Sequence, residues 1–255
     1  MKNLFELKNW DVLTVDQAID SDMKIFKGIK SFNLAGLHED GVNSVIERLN
    51  LEVFHDCFKA FNTSNNLPYH NSYHSQCMVL NCYEGAYHEK LPLDDTRALV
   101  AAALLHDANH SGGKESDEQN IEHAVEFVQI CQRYASALHI GLSEYELSEC
   151  IDCVKITKYP YENVPASPAQ RIIRDADLMQ PYEQDQQILL TQYLGLKREL
   201  EANGKSYSKI EFAEGMYEFL NSIAWYTIWA TDKAKARGWD VLKLNLKYIL
   251  ESHES

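Results

Sequence analysis

Between residues 40 and 62, apolar side chains return every three or four positions: Val42, Val45, Ile46, Leu49, Val53, Cys57 and Phe61. That is the helical period, and it predicts a helix with one face against a core. The turn-rich cluster NTSNNLP at 62–68 ends it. A helix carrying His70 and His74 follows, to about His88. Pro92 and Asp94 or Asp95 start the next one. Its stretch from Leu99 to Leu105 is Ala, Val and Leu only, apolar on nearly every face, which predicts a helix buried all round. Ser116 with Gln119, and Ser143 with Glu146, have capping-box spacing. The first box opens a helix with Ile121, Ala124, Val125, Val128 and Cys131 on one face; the second opens one to about Thr157. After the loop KYPYENVPASP, Ser167-Pro168 starts a helix with proline at its first position.

Further helices are expected over Thr14–Phe32 upstream and, downstream, over Glu183–Asn203 closed by Gly204. Residues 208 to 236 read as one more, rich in aromatics, and 240 to 251 as a last one. Strand-like alternation, hairpin signals, repeats and linkers are missing from the pattern. The expected fold is therefore all-α, with residues 1–255 as a single domain. The aromatics of 208–236 suit core packing better than a base-stacking wall, although aromatic faces do stack on bases.

Charge changes the picture more than composition does. The chain has 24 Lys and Arg against 38 Asp and Glu, a net charge of −14. A protein that tracks long nucleic acid needs a basic surface, so that class is excluded. A small anionic ligand is still permitted, because a bound cation supplies local positive charge. The N-terminus MKNLFELKNWDVL lacks an apolar signal core, and no run approaches the ~18 apolar residues of a membrane span. The six cysteines are scattered through helical, apolar stretches. They read as reduced core residues of a cytoplasmic protein, the Cys150–Cys153 pair included.

The chemistry concentrates between Tyr69 and Asn120. His70 and His74 lie four apart, at the spacing of one helical face. His106 and Asp107 follow the buried run directly, with His110 four residues on. A buried carboxylate without partners costs several kcal/mol. Asp107 therefore needs donors or a cation. A His-Asp pair that merely secures its own helix end explains the dipeptide alone; four histidines around one apolar segment favour the cation. Gly112-Gly113 then lets the backbone turn or approach a ligand. His123 reads as a structural or surface residue.

The order YHN-x-x-H at 69–74, HD-x-x-H-x-G at 106–112 and ADL-x-x-P at 176–181 resembles the HD-domain metal-dependent phosphohydrolases. Among them it is most similar to the cyclic nucleotide phosphodiesterases. The matched segments span residues 69 to 181, with the helices of 182–252 expected to pack around them. The resemblance implies metal ligands at His74, His106, Asp107 and Asp177. It implies a general acid at His70 and a histidine near the second metal's water at His110, with Asp107 shared between two divalent ions of Zn, Mn, Mg or Fe. Tyr69, Asn109 and Thr157 become candidate substrate contacts. A metal ion can lower its water's pKa towards ~7 and so supply hydroxide at neutral pH.

Asp175 stands beside Asp177, but residues two apart on a helix do not share a face. Asp175 is expected to turn away, towards Arg171 or Arg174. Asn109 replaces an aspartate of the family's second motif, and the family's purine-clamping glutamine has no match in the last third. The resemblance thus implies a phosphodiesterase acting on a cyclic or other small nucleotide. Three alternatives stay open: a nucleotide phosphomonoesterase of the same class, a di-iron oxygenase of HD-like fold, and a nucleotide-binding module without catalysis.

Overall fold

The computed structural model describes residues 38–179, 186–202 and 204–236, with the side chains of 186–190 and 209 left aside. The helices expected over Thr14–Phe32 and 240–251 lie outside these residues, as does Pro181. The described residues form ten α-helices and no strand. The fold is all-α, as the pattern predicts. In chain order they are α1 Glu39–Arg48, α2 Glu52–Phe61, α3 Ser72–His88, α4 Leu93–Leu105, α5 Asp117–Ala137, α6 Glu144–Ile156, α7 Pro168–Leu178, α8 Gln186–Glu201, α9 Lys209–Ser222 and α10 Ile228–Ala236.

α4 is the central post. It touches α2, α3, α5, α6 and α7, and every residue from Ala98 to Leu105 is buried. Each fully buried Val or Leu there contributes about 1.5–3 kcal/mol. The post carries one charge out of the core with partners attached: Arg97 donates from Nε to the Leu49 carbonyl at 3.0 Å and from a terminal nitrogen to Glu146 at 2.8 Å. Both expected capping boxes form, at Ser116/Gln119 and Ser143/Glu146, and Ser167 caps α7 with Pro168 at its first turn. Cys150 and Cys153 sit in the core inside α6. Their thiols are raised by burial, which suits packing rather than redox work.

Three expectations are corrected. The single helix of 40–62 is two, because Asn50 takes a left-handed φ of 52°. Leu51 N–H then returns to the Ile46 carbonyl at 3.0 Å and Asn50 N–H to Glu47 at 3.2 Å, a Schellman ending. Phe61, placed on the apolar face, is 55% exposed and stacks on Tyr134. The helix of 208–236 is also two, broken between Ser222 and Ile228. The break has a specific cause. Tyr226 and Thr227 give their backbone N–H groups to buried Asp175 instead of to a helix, and the Thr227 hydroxyl accepts from Ala230 N–H. Among the described residues, no helix is long and apolar enough to cross a membrane.

Candidate metal centre and substrate cavity

Three helices deliver the candidate metal ligands. Asn71 caps α3, its side chain accepting from Tyr73 and His74 N–H, and His74 projects from the first turn. His106 caps the C-terminal end of α4, and Asp107 follows it. Asp177 comes from the last turn of α7. These side chains converge. Nε2 of His74 and Nε2 of His106 are 2.9 Å apart. Asp107 Oδ2 lies 3.0 Å from the first and 2.9 Å from the second, and Asp177 Oδ1 lies 3.4 Å from His74 Nε2.

Two imidazole Nε2 atoms and two carboxylate oxygens converging this closely make a good ligand set, and Nδ1 of buried His74 has no hydrogen-bond partner. Asp107 Oδ2 is buried and accepts no well-formed hydrogen bond despite those neighbours. His106 has its orientation fixed from behind, with Nδ1 3.0 Å from the Ala103 carbonyl, the arrangement expected of a ligating histidine. The electrostatics agree. Burial alone would lower the pKa of His74, yet Asp107 and Asp177 push it up to about 10. Burial would raise Asp107, yet His106 and His70 hold it well below the carboxylate range. The pocket thus attracts positive charge strongly enough to bind a proton, and the N and O donors of His74, His106, Asp107 and Asp177 fit a divalent cation.

A second cluster, His70, His110 and Glu199, adjoins the first and behaves differently. His70 is not on α3, as its spacing to His74 predicts, but in the segment before it. Its ring therefore leaves the His74 face and reaches α8. His70 Nδ1 lies 2.6 Å from Glu199 Oε2, and Glu199 Oε1 accepts the N–H groups of Tyr69 at 2.5 Å and His70 at 3.1 Å. His110 stacks on the His70 ring at 3.8 Å, and its Nδ1 accepts Gly112 N–H at 3.0 Å. Here each acceptor already has a donor, so the demand for a cation falls on the first cluster. Burial works against the charge of His70, but Asp107 and Glu199 raise its pKa. Burial and the charge of His70 lower His110 to about 4. The two shifts run in opposite directions, so a proton shared by the stacked pair belongs on His70 rather than His110.

Both clusters open into a cavity of about 500 Å³. His70, His106, Asp107, His110 and Asp177 lie at its floor. Tyr69, Thr157, Tyr161, Tyr193, Phe212 and Phe219 are among its walls. Tyr69 and Thr157, the candidate substrate contacts, thus line the cavity. Asn109 does not line it. At φ 60° it turns to the 62–65 loop, where Oδ1 accepts Thr63 N–H at 2.9 Å. α9 serves both readings of its aromatics, since Phe212 in the core and Phe219 packed against it also face the cavity. The 158–167 loop is fastened over one side by Tyr159 N–H to Asp117 at 2.5 Å, and Tyr159 meets Phe219 edge-on at 6.0 Å.

Asp175 points away from the centre, as expected, but not to Arg171 or Arg174. It accepts Tyr226 N–H at 3.0 Å, and Thr227 N–H and hydroxyl at 2.8 and 2.7 Å. Burial pushes its pKa up to about 6 against those hydrogen bonds. Arg174 instead lies 3.8 Å under the Tyr161 ring. His123 pairs at the surface with Glu115 at 3.6 Å. Asp175→Ala is therefore expected to keep full metal content while costing about 1–3 kcal/mol or more, by orphaning buried N–H groups. Asp177→Ala is expected to lose metal without that penalty. Elemental analysis and thermal melts of the two variants separate these outcomes.

Glu199 is the site residue that sequence reasoning missed. Its signal was present: Gln192, Leu196 and Glu199 share one face of α8 at spacings of four and three, and Glu199 is buried there.

No family model matches the sequence, and no curated protein matches it. Solved structures do match. The chain has the fold of a phosphodiesterase domain. It is similar to the phosphodiesterase domain of the RhoPDE fusion protein from the choanoflagellate Salpingoeca rosetta, with TM-score 0.54 and 14% identity over 94% of this chain and 90% of that one. A second structure of the Salpingoeca rosetta rhodopsin phosphodiesterase domain gives 0.53 and 16%, covering 92% and 85%. LmjPDEB1 in complex with IBMX gives 0.52 and 14%, covering 95% and 96%.

Proposed function

We propose that this protein is a metal-dependent phosphodiesterase that hydrolyses a 3′,5′-cyclic nucleotide or another small nucleotide. The observation that carries the reading is the convergence of buried His74 with His106, Asp107 and Asp177, the last three lining a cavity, beside His70 held by Glu199. The fold shared with phosphodiesterase domains supports it.

In this reading those four residues would hold a divalent ion, of Zn, Mn, Mg or Fe, with Asp107 the candidate to be shared with a second. Such a metal, when bound, would supply an acidified water and polarise a phosphoryl oxygen. The remaining chemistry belongs to the chain. His70, whose pKa Asp107 and Glu199 raise, would give its proton to the ribose oxygen as the P–O bond breaks. Glu199 fixes that ring through Nδ1, leaving Nε2 for the donated proton. His110, neutral, stacks on the donor ring and limits its rotation. The cavity is within the ~300–1,000 Å³ usual for small-molecule sites, and its tyrosine and phenylalanine walls offer faces to a base.

The test is turnover of the metal-loaded protein on cyclic and linear nucleotides. A cyclic nucleotide opened to a monophosphate is the expected result. Release of inorganic phosphate from a monophosphate indicates a phosphomonoesterase instead. Oxygen consumption by an iron-loaded sample indicates an oxygenase, and tight binding without turnover a regulatory module.

A further inference from the structure

Glu199 is held over His70 by two backbone contacts that only glycine allows. Gly195 lies one helical turn before Glu199 on α8. A Cβ built there would stand 2.2 Å from the Pro68 carbonyl oxygen and 2.7 Å from its carbon. Gly113 lies in the loop that follows His110, with φ +83°, and a Cβ there would stand 2.0 Å from the Glu199 carbonyl oxygen. In both cases the obstacle is backbone, which cannot swing aside as a side chain can. A glycine within a helix lowers that helix's own stability, so Gly195 is explained by the approach it permits.

The two contacts join the three segments of the second cluster. Pro68 leads directly into Tyr69 and His70, whose N–H groups reach Glu199. Gly113 follows Gly112, whose N–H holds His110. α8 is thus pressed between the His70 segment and the His110 loop, and the carboxylate height is set by both. The metal-ligand candidates come from α3, α4 and α7 and touch neither glycine.

We propose that Gly195 and Gly113 are positioning residues that act through Glu199 to hold His70 in place for proton donation. The inference rests on the proposed role of His70 as proton donor. An alanine at either position moves α8 off one neighbour and lengthens the His70–Glu199 contact. Displacement of a positioned group by about 1 Å can cost roughly 10²-fold in rate.

The test is a double-mutant cycle among Gly195→Ala, Gly113→Ala and Glu199→Gln, with Gly41→Ala as a control. At Gly41 the new Cβ meets only a leucine side chain at 3.4 Å. Each glycine variant is expected to keep its metal and lose turnover on a ribose ester, sparing an activated aryl ester. Neither should add a further loss in the Glu199→Gln background. A readout independent of activity is the His70 Nδ1–H resonance in protein with ¹⁵N-labelled histidine. It should move in both glycine variants towards its position in Glu199→Gln, and stay put in Gly41→Ala.

Additive losses, metal loss, or an unmoved resonance would overturn the proposal. So would failure of both glycine variants to fold, which would make the glycines structural only. If the wild-type protein turns over no phosphodiester, the functional reading fails, while the resonance still decides whether the glycines set the His70–Glu199 contact.

Discussion

Asp107→Ala is expected to empty the metal centre and abolish turnover. Asp107 Oδ2 stands about equally close to both ligand nitrogens, at 3.0 and 2.9 Å. Removing it leaves two buried imidazoles with reduced counter-charge. His74, raised to about 10 with the carboxylates present, loses one of its two supports, and the site loses the charge that offsets a dication. Metal content should fall by at least the ~10–100-fold in affinity typical of an outer-shell loss, and by more because Asp107 is itself a proposed ligand. Cys150→Ala and Cys153→Ala, deep in the core and away from the cavity, should leave metal content unchanged. Elemental analysis of the three purified variants decides between them. Full occupancy in Asp107→Ala would remove the proposed centre.

His70→Ala should separate chemistry from metal binding. The ring is held by Glu199 and His110 and meets the first cluster only edge-on at His74, with 6.0 Å between ring centroids, so the metal should stay. Turnover should fall by roughly 10²–10⁴-fold on a substrate whose leaving group is a ribose oxygen. A nitrophenyl diester leaves without a proton and should be largely spared. His74→Ala, by contrast, should lose metal and fail on both substrates. Equal impairment of His70→Ala on the two ester types, or metal loss matching His74→Ala, would make His70 a ligand or a structural residue.

Much of this fold was legible because its helices announce their starts. Ser116/Gln119, Ser143/Glu146 and Ser167-Pro168 each form the cap that their spacing predicts. Helix ends were harder to read for a physical reason. Asn50, Lys90 and His139 take left-handed conformations at or near φ 52–61°, where glycine would be the visible signal. Lys90 and His139 carry no such signal, and their strain is offset by returns such as Leu91 N–H to the Ala86 carbonyl. The break at 223–227 depends on Asp175, some fifty residues upstream, and periodicity within the segment cannot show it.

The site divides along the same line. His74, His106 and Asp107 were legible because their segments are short and rigidly joined to predicted helices. The cluster of His70, His110 and Glu199 was not. His70 reads as a partner of His74 until the helix is seen to begin at Ser72. Glu199 enters from 129 residues away. Asn109, inside a motif, faces a loop because its own left-handed turn points it there.

The central claim is that the His74–His106–Asp107–Asp177 centre drives hydrolysis of a phosphodiester. The most direct measurement is a ³¹P NMR time course of a 3′,5′-cyclic nucleotide with the metal-loaded protein, interrupted by a chelator and then by excess metal. The expected course is growth of a 5′-monophosphate signal that stops on chelation and resumes with metal. A cyclic phosphate signal that never changes, in protein shown to hold its metal at these four residues, would contradict the account.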